Sequence, residues 1–173
     1  VIAMQTQNGF WGGPSYDAIK EIINYMVVNN KLDPFRVVDN GLSAGGTGTW
    51  EMSHLNPTYI AASLPMSAAS TEYYAPAIVN KLKYSPIWIF QGALDGNPDP
   101  YTTKLVRDAY LNAGGNFKYT EYAGVGHGTW NIAWAEPDFY PFVLRANAAN
   151  PWPLTGRKEF CPGDAINLTH GLT

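Results

Sequence analysis

The chain has 173 residues, about one domain by length; 46% are hydrophobic and only 14% charged, which suits a buried core and rules out a charge-rich disordered chain. A net charge of -3 with no Lys/Arg cluster argues against nucleic acid and against a polybasic membrane-surface mode. No apolar run approaches the roughly 18 residues needed to cross a bilayer, and the single cysteine, Cys161, can form neither an internal disulfide nor a zinc site.

Residues 1–6 (VIAMQT) read as a buried strand, followed by a loop over 8–14. Ser15 is a candidate N-cap for a helix over 16–29, where Ile19, Ile22, Ile23, Met26 and Val27 recur at helical spacing. Residues 36–42 form a short strand that runs into a glycine-rich turn at 41–48, and a helix follows from Ala44 to His54. A strand over 59–66 comes next, then a short helix over 74–82. Residues 87–91 (IWIFQ) are a continuous apolar strand bounded by Pro86 and Gly92. An amphipathic helix covers 101–113, with Leu105, Val106, Ala109 and Tyr110 inward, and Gly114-Gly115 stops it. Residues 117–122 alternate as a strand, and a final helix starts at Trp130, interrupted by Pro137 and Pro141. Residues 146–156 are a Pro/Asn/Ala-rich linker between a unit over 1–145 and a tail over 157–173.

This alternation of strand and helix predicts an α/β fold, a mostly parallel sheet flanked by helices. In such sheets ligands bind at the carboxyl ends of the strands, so the loops after 6, 42, 66, 91 and 122 are the ones that matter.

Gly41-Leu42-Ser43-Ala44-Gly45 fits the pattern G-x-S-x-G between a strand and a helix. A strand that reverses into a helix within about one residue forces the serine into a strained backbone and requires small neighbours. Gly41 and Gly45 supply these, Gly46 and Gly48 add slack, and the helix N-terminus faces developing negative charge. Of the three histidines, His54 lies inside the helix after Ser43 and His170 in the tail. His127 sits in a glycine-flanked loop after the last strand, from which a general base can reach a nucleophile on another strand. The acid should follow a strand between serine and histidine in the chain. Asp95, in Gly92-Ala93-Leu94-Asp95-Gly96, is the first candidate and Asp99 the second; either also reads as a turn-forming Asp beside Gly or Pro. Asp39 reads as structural.

With these residues in place, the segment from 1 to about 145 resembles the later part of an α/β-hydrolase. It is most similar to the secreted esterases that include feruloyl and acetylxylan esterases and polyhydroxybutyrate depolymerase-like proteins. The matching pieces are GLSAGG at 41–46, PIWIFQGALDG at 86–96 and GVGHGTW at 124–130. Gln91 stands where that family usually has a histidine before the glycine of the acid strand. The resemblance implies a two-step acyl transfer on an ester, with Ser43 as nucleophile, His127 as base, Asp95 orienting it and the Ala44 N–H as one oxyanion donor. It implies no metal and no organic cofactor. The family's second oxyanion donor and an early strand have no counterpart in this sequence, so the chain is expected to be a fragment lacking an N-terminal segment; the alternatives are a second chain that supplies the missing strands, or a sheet that closes up differently in an inactive protein.

Residues 159–164 (EFCPGD) resemble the opening of Ig-like modules in secreted bacterial hydrolases, which together with the near-absence of cysteine implies export to the periplasm or beyond. Gln7, Trp11 and Trp130, with Trp134 nearby, lie in loops that the strand-end rule turns toward the site. There they could bind a polysaccharide or small-molecule ester by stacking, and the same aromatics suit a core equally well. A prolyl-oligopeptidase-like peptidase and an inactive carbohydrate-binding relative are the competing readings.

Overall fold

A computed structural model of the protein describes residues 1–6 and 11–149. The remaining positions, including Gln7 and the whole of the tail with Cys161 and His170, lie outside the described residues.

Four strands form one sheet in the order β1 (Val38–Leu42), β2 (Ala62–Met66), β3 (Ile87–Gly92) and β4 (Phe117–Tyr122). Every pairing is parallel. Sequential order means that each crossover steps in the same direction. Because β-helix-β crossovers are right-handed, all the connecting helices must then fall on one face. They do: α2 (Ala44–Leu55), α3 (Pro76–Leu82) and α4 (Pro100–Asn112) pack Trp50, Val79, Leu82, Val106 and Tyr110 onto Ile87, Ile89 and Phe117. The chain after β4 covers the other face. There α5 (Trp130–Trp134) and α6 (Phe139–Arg145) bring Ala133, Phe139 and Phe142 onto Leu64, Met66, Trp88 and Phe90. Strand β3 shows the period of 2 directly, since Ile87 and Ile89 face one layer while Trp88 and Phe90 face the other. Being covered on both sides, it is a continuous apolar run.

Helix α1 (Gly13–Asn30) lies outside this frame and packs Tyr16 and Ile23 against Met52 of α2 and Ile60. Its N-cap is Gly12 rather than Ser15, whose N–H already donates to the Gly12 carbonyl. Pro14 sits in the first turn, where its missing N–H costs nothing.

Residues 1–6 form no strand: Val1 and Ile2 are exposed, and the free edge of β1 has no partner among the described residues. An apolar run is only a potential strand; it becomes one through a neighbour and a covered face, and this segment has neither. Pro141 does not interrupt the last helix as expected, because it falls in the first turn of α6. Core packing continues past α6 through Ala146 and Ala148.

Candidate active site

The four carboxyl ends of the sheet carry Ser43, Ser67, Asp95 and His127, one after each strand. Strand β1 ends at Leu42 and α2 begins at Ala44, so a single residue makes the turn. That residue, Ser43, takes φ 55° and ψ -120°, a backbone state costly for any residue with a side chain. Two contacts enforce it. The Ser43 N–H donates to the Met66 carbonyl at 2.9 Å, tying the turn to the end of β2. A Cβ on Gly41 would lie 2.3 Å from the Gly45 carbonyl oxygen, so only glycine permits the strand and helix to approach this closely.

The glycines after the serine are arranged differently from expectation. A Cβ on Gly45 would meet nothing within 4 Å, whereas one on Gly46 would lie 2.4 Å from Ala68 Cβ and one on Gly48 2.8 Å from the Trp11 ring. Gly46 and Gly48 are therefore close-packing positions, not slack. Ala44, the first residue of α2, is exposed and presents one of the N–H groups that have no acceptor within the helix.

Asp95 follows β3 across a tight turn in which its N–H donates to the Gly92 carbonyl. Its side chain is only 2% exposed. One oxygen, Oδ1, accepts from the Asn97 N–H at 3.0 Å; the other, Oδ2, lies 2.9 Å from His127 Nδ1. That second contact pairs His127 with Asp95 and not with Asp99. Asp99 instead caps α4, accepting from the Thr102 N–H at 2.8 Å.

The loops after β3 and β4 are held together by backbone. Ala93 N–H donates to the Tyr122 carbonyl and Leu94 N–H to the Val125 carbonyl. A Cβ on Gly92 would sit 2.0 Å from the Gly126 carbonyl oxygen. The His127 side chain remains 43% exposed, fixed at Nδ1 and open at Nε2. No hydrogen bond joins Ser43 Oγ to His127 Nε2.

The structure separates the two aromatics singled out in the sequence. Trp11 lies on Gly48 of α2, stacks on Tyr16 with ring centroids 6.4 Å apart, and belongs to the cluster under α1. Trp130 opens α5 directly after the His127 loop and is 36% exposed, with Trp134 exposed one turn further on. His54 is a half-buried residue of α2 whose Nδ1 is shielded without a partner, and burial, then Lys81, hold its pKa below the usual range. Among the described residues no three His, Cys, Asp or Glu side chains converge to hold a metal ion.

The structural role of Gln91, which the sequence marked only as a departure from the family pattern, and the place of Ser67 were missed in the sequence reading. Gln91, completely buried at the end of β3, donates to the Pro98 carbonyl at 3.0 Å and so closes the loop that carries Asp95. Ser67 follows β2 with φ 47°. Its one sequence signal was its place in a loop that the strand-end rule marks.

No protein-family model and no curated protein matches the chain. Solved structures do match. A thermostable esterase superposes with a TM-score of 0.71 at 24% identity, over 83% of this chain and 39% of its own. SOBER1 of Arabidopsis thaliana gives 0.58 at 19% identity, over 76% and 64%. A ferulic acid esterase gives 0.60 at 18% identity, over 74% and 59%. At these identities the likeness shows the fold alone, a parallel sheet flanked by helices. The chain spans less than two thirds of each of these proteins.

Proposed function

We propose that this chain is the catalytic part of a serine carboxylic-ester hydrolase working through an acyl-enzyme. On this reading His127 Nε2 takes the Ser43 hydroxyl proton and Ser43 Oγ attacks the ester carbonyl. Asp95 holds the Nδ1–H tautomer and stabilises the imidazolium. The Ala44 N–H at the start of α2 meets the oxyanion. His127 then protonates the leaving alcohol, and water attacks the acyl-enzyme by the reverse route. The observation that carries the reading is the 2.9 Å contact between His127 Nδ1 and a nearly fully buried carboxylate. It occurs at the sheet end that also holds a serine at φ 55°. A loop histidine with no chemical role would have no need of a buried acid at Nδ1.

Because the chain spans 39% of the thermostable esterase, the proposed activity is that of a larger whole. On this reading a second oxyanion donor and the strand that pairs with the free edge of β1 come from residues outside this sequence or from a second chain. The substrate class we favour is an ester of a plant polysaccharide or a phenolic acid. The exposed Trp130 beside the His127 loop supports it by offering a stacking face, and one structural neighbour is a ferulic acid esterase. Export to the periplasm or medium belongs to the same reading, through the resemblance at 159–164; fractionating the source cells tests it, and purely cytoplasmic protein would end it.

Fluorophosphonate labelling followed by mass spectrometry tests the chemistry. A Ser43 adduct that disappears in His127→Ala is expected, and a folded protein labelled elsewhere would overturn the assignment. A peptidase has some support from the likeness to a putative dipeptidyl aminopeptidase IV from Bacteroides ovatus, at 13% identity and a TM-score of 0.55. Short aryl esters against proline-containing amides decide between them. Turnover of neither substrate by the longer parent protein would favour a binding protein without activity.

A further inference from the structure

We propose that Ser67, together with Thr129, is a positioning residue that aims His127 at the nucleophile; this rests on the reading of Ser43 and His127 just given. Asp95 fixes the His127 ring only at Nδ1, which leaves the ring free to swing with its backbone. The backbone is fixed from β2. Ser67 Oγ donates to the His127 carbonyl at 2.9 Å, and the Thr129 N–H donates to the same oxygen at 3.0 Å. With the single hydroxyl proton of Ser67 used in this way, the Thr129 hydroxyl is the donor in the 3.0 Å contact between Thr129 Oγ1 and Ser67 Oγ. Both side chains are completely buried, so water cannot replace either bond.

Two further observations mark Ser67 as more than a loop residue. It holds φ 47°, a left-handed state that glycine would adopt without strain, yet the position carries a hydroxyl. It also stands next to Met66, whose carbonyl accepts the Ser43 N–H at 2.9 Å. Adjacent residues at the end of β2 thus grip the nucleophile turn on one side and the base loop on the other. The Ser67 N–H donates to the Phe90 carbonyl at 2.9 Å, which fixes both grips to the sheet. Both loops are in this way tied to one dipeptide at the end of β2. A displacement of about 1 Å between nucleophile and base is enough to lower a rate by about a hundredfold.

Three variants separate positioning from stability. Ser67→Gly removes the hydroxyl and relieves the backbone; Thr129→Val removes the second hydroxyl in the same shape; Thr129→Ser keeps it. Two properties are read in each: the rate of fluorophosphonate labelling at Ser43, and the His127 tautomer by long-range proton–nitrogen correlation NMR. Ser67→Gly and Thr129→Val are expected to label at least tenfold more slowly and to lose the uniform Nδ1–H tautomer, both read well below the melting temperature of each variant. Thr129→Ser should recover most of both signals. If Ser67→Gly and Thr129→Val keep the parent tautomer and rate, the positioning role is overturned and the catalytic reading stands. If the parent itself does not label, the catalytic reading fails, and the tautomer measurement alone still decides whether Ser67 orders His127.

Discussion

Thr103 Oγ1 donates to Gln91 Oε1 at 2.8 Å, and both residues are completely buried. The same amide sends its N–H groups to the carbonyls of Gly92 and Pro98. A side chain at the end of β3 thereby joins the first turn of α4 to the far end of the loop that holds Asp95. Gln91→Leu strands the Thr103 hydroxyl and the Pro98 carbonyl, each costing about 1–3 kcal/mol when buried without a partner. The melting temperature should fall in Gln91→Leu and partly recover in Gln91→Leu/Thr103→Val, where the orphaned hydroxyl is gone. A double variant no more stable than the single one would show that the Gln91–Thr103 bond does not connect the two elements energetically.

Gly92 is a point of close approach between the loop after β3 and the loop after β4. A methyl there would lie 2.0 Å from the Gly126 oxygen and 2.5 Å from that of Val125, both backbone atoms that cannot turn aside. Gly92→Ala should therefore push the His127 loop away and reduce Ser43 labelling by at least a hundredfold. Gly96→Ala, where a Cβ meets nothing within 4 Å, serves as the control and should label at the parent rate. Equal rates in the two variants would mean that the contact between the loops is not needed.

Strand β4 occupies the residues its alternation marks, 117–122, and α2 and α4 begin and end within one residue of their apolar spacing and glycine stops. These signals are local, so one chain segment carries them. The positions that were misread depend on partners. Residues 1–6 have the composition of a strand but no neighbour, and Gly45 looks like the tight glycine of the turn although the pressure falls on Gly41 and Gly46. That Ser43, Asp95 and His127 each follow a strand was legible because the G-x-S-x-G turn and the strands before the other two are local signals. The contact between Ser67 and Thr129 was not, because any small polar residue in a loop looks alike until the loop across from it is known. Asp39 read as structural; what the sequence could not reveal is that its carboxylate is buried.

Trp11 and Trp130 looked equivalent in the sequence and should behave oppositely. Trp11 lies against Gly48 and Tyr16, so Trp11→Ala removes packing and should lower stability by about 1–3 kcal/mol while leaving the KM for an aryl ester unchanged. Trp130 is partly exposed, so Trp130→Ala should raise that KM severalfold and leave the melting temperature near the parent value. A raised KM in Trp11→Ala with unaltered stability would return Trp11 to the substrate site.

Asp39 makes the protein's stability depend on pH in an unusual direction. Burial raises its pKa to about 8, against smaller opposing contributions from hydrogen bonds with Ser63, its own backbone and Ser53. Both carboxylate oxygens are shielded from water, and neither has a partner in good hydrogen-bonding geometry. The group is therefore protonated in the folded protein near neutrality and ionised in the unfolded chain above its ordinary range, about pH 4. A raised carboxylate pKa favours the folded state fully below that range, and the advantage is lost as pH rises toward 8. Over this window Asp39 alone should lower the unfolding free energy by ~1.4 kcal/mol per pH unit. Asp39→Asn carries no such proton and should flatten the profile between pH 5 and 8, as read by urea denaturation at several pH values. Parallel profiles for parent and variant would mean that the carboxyl group ionises freely in the folded protein and that the space between β1 and α2 admits water.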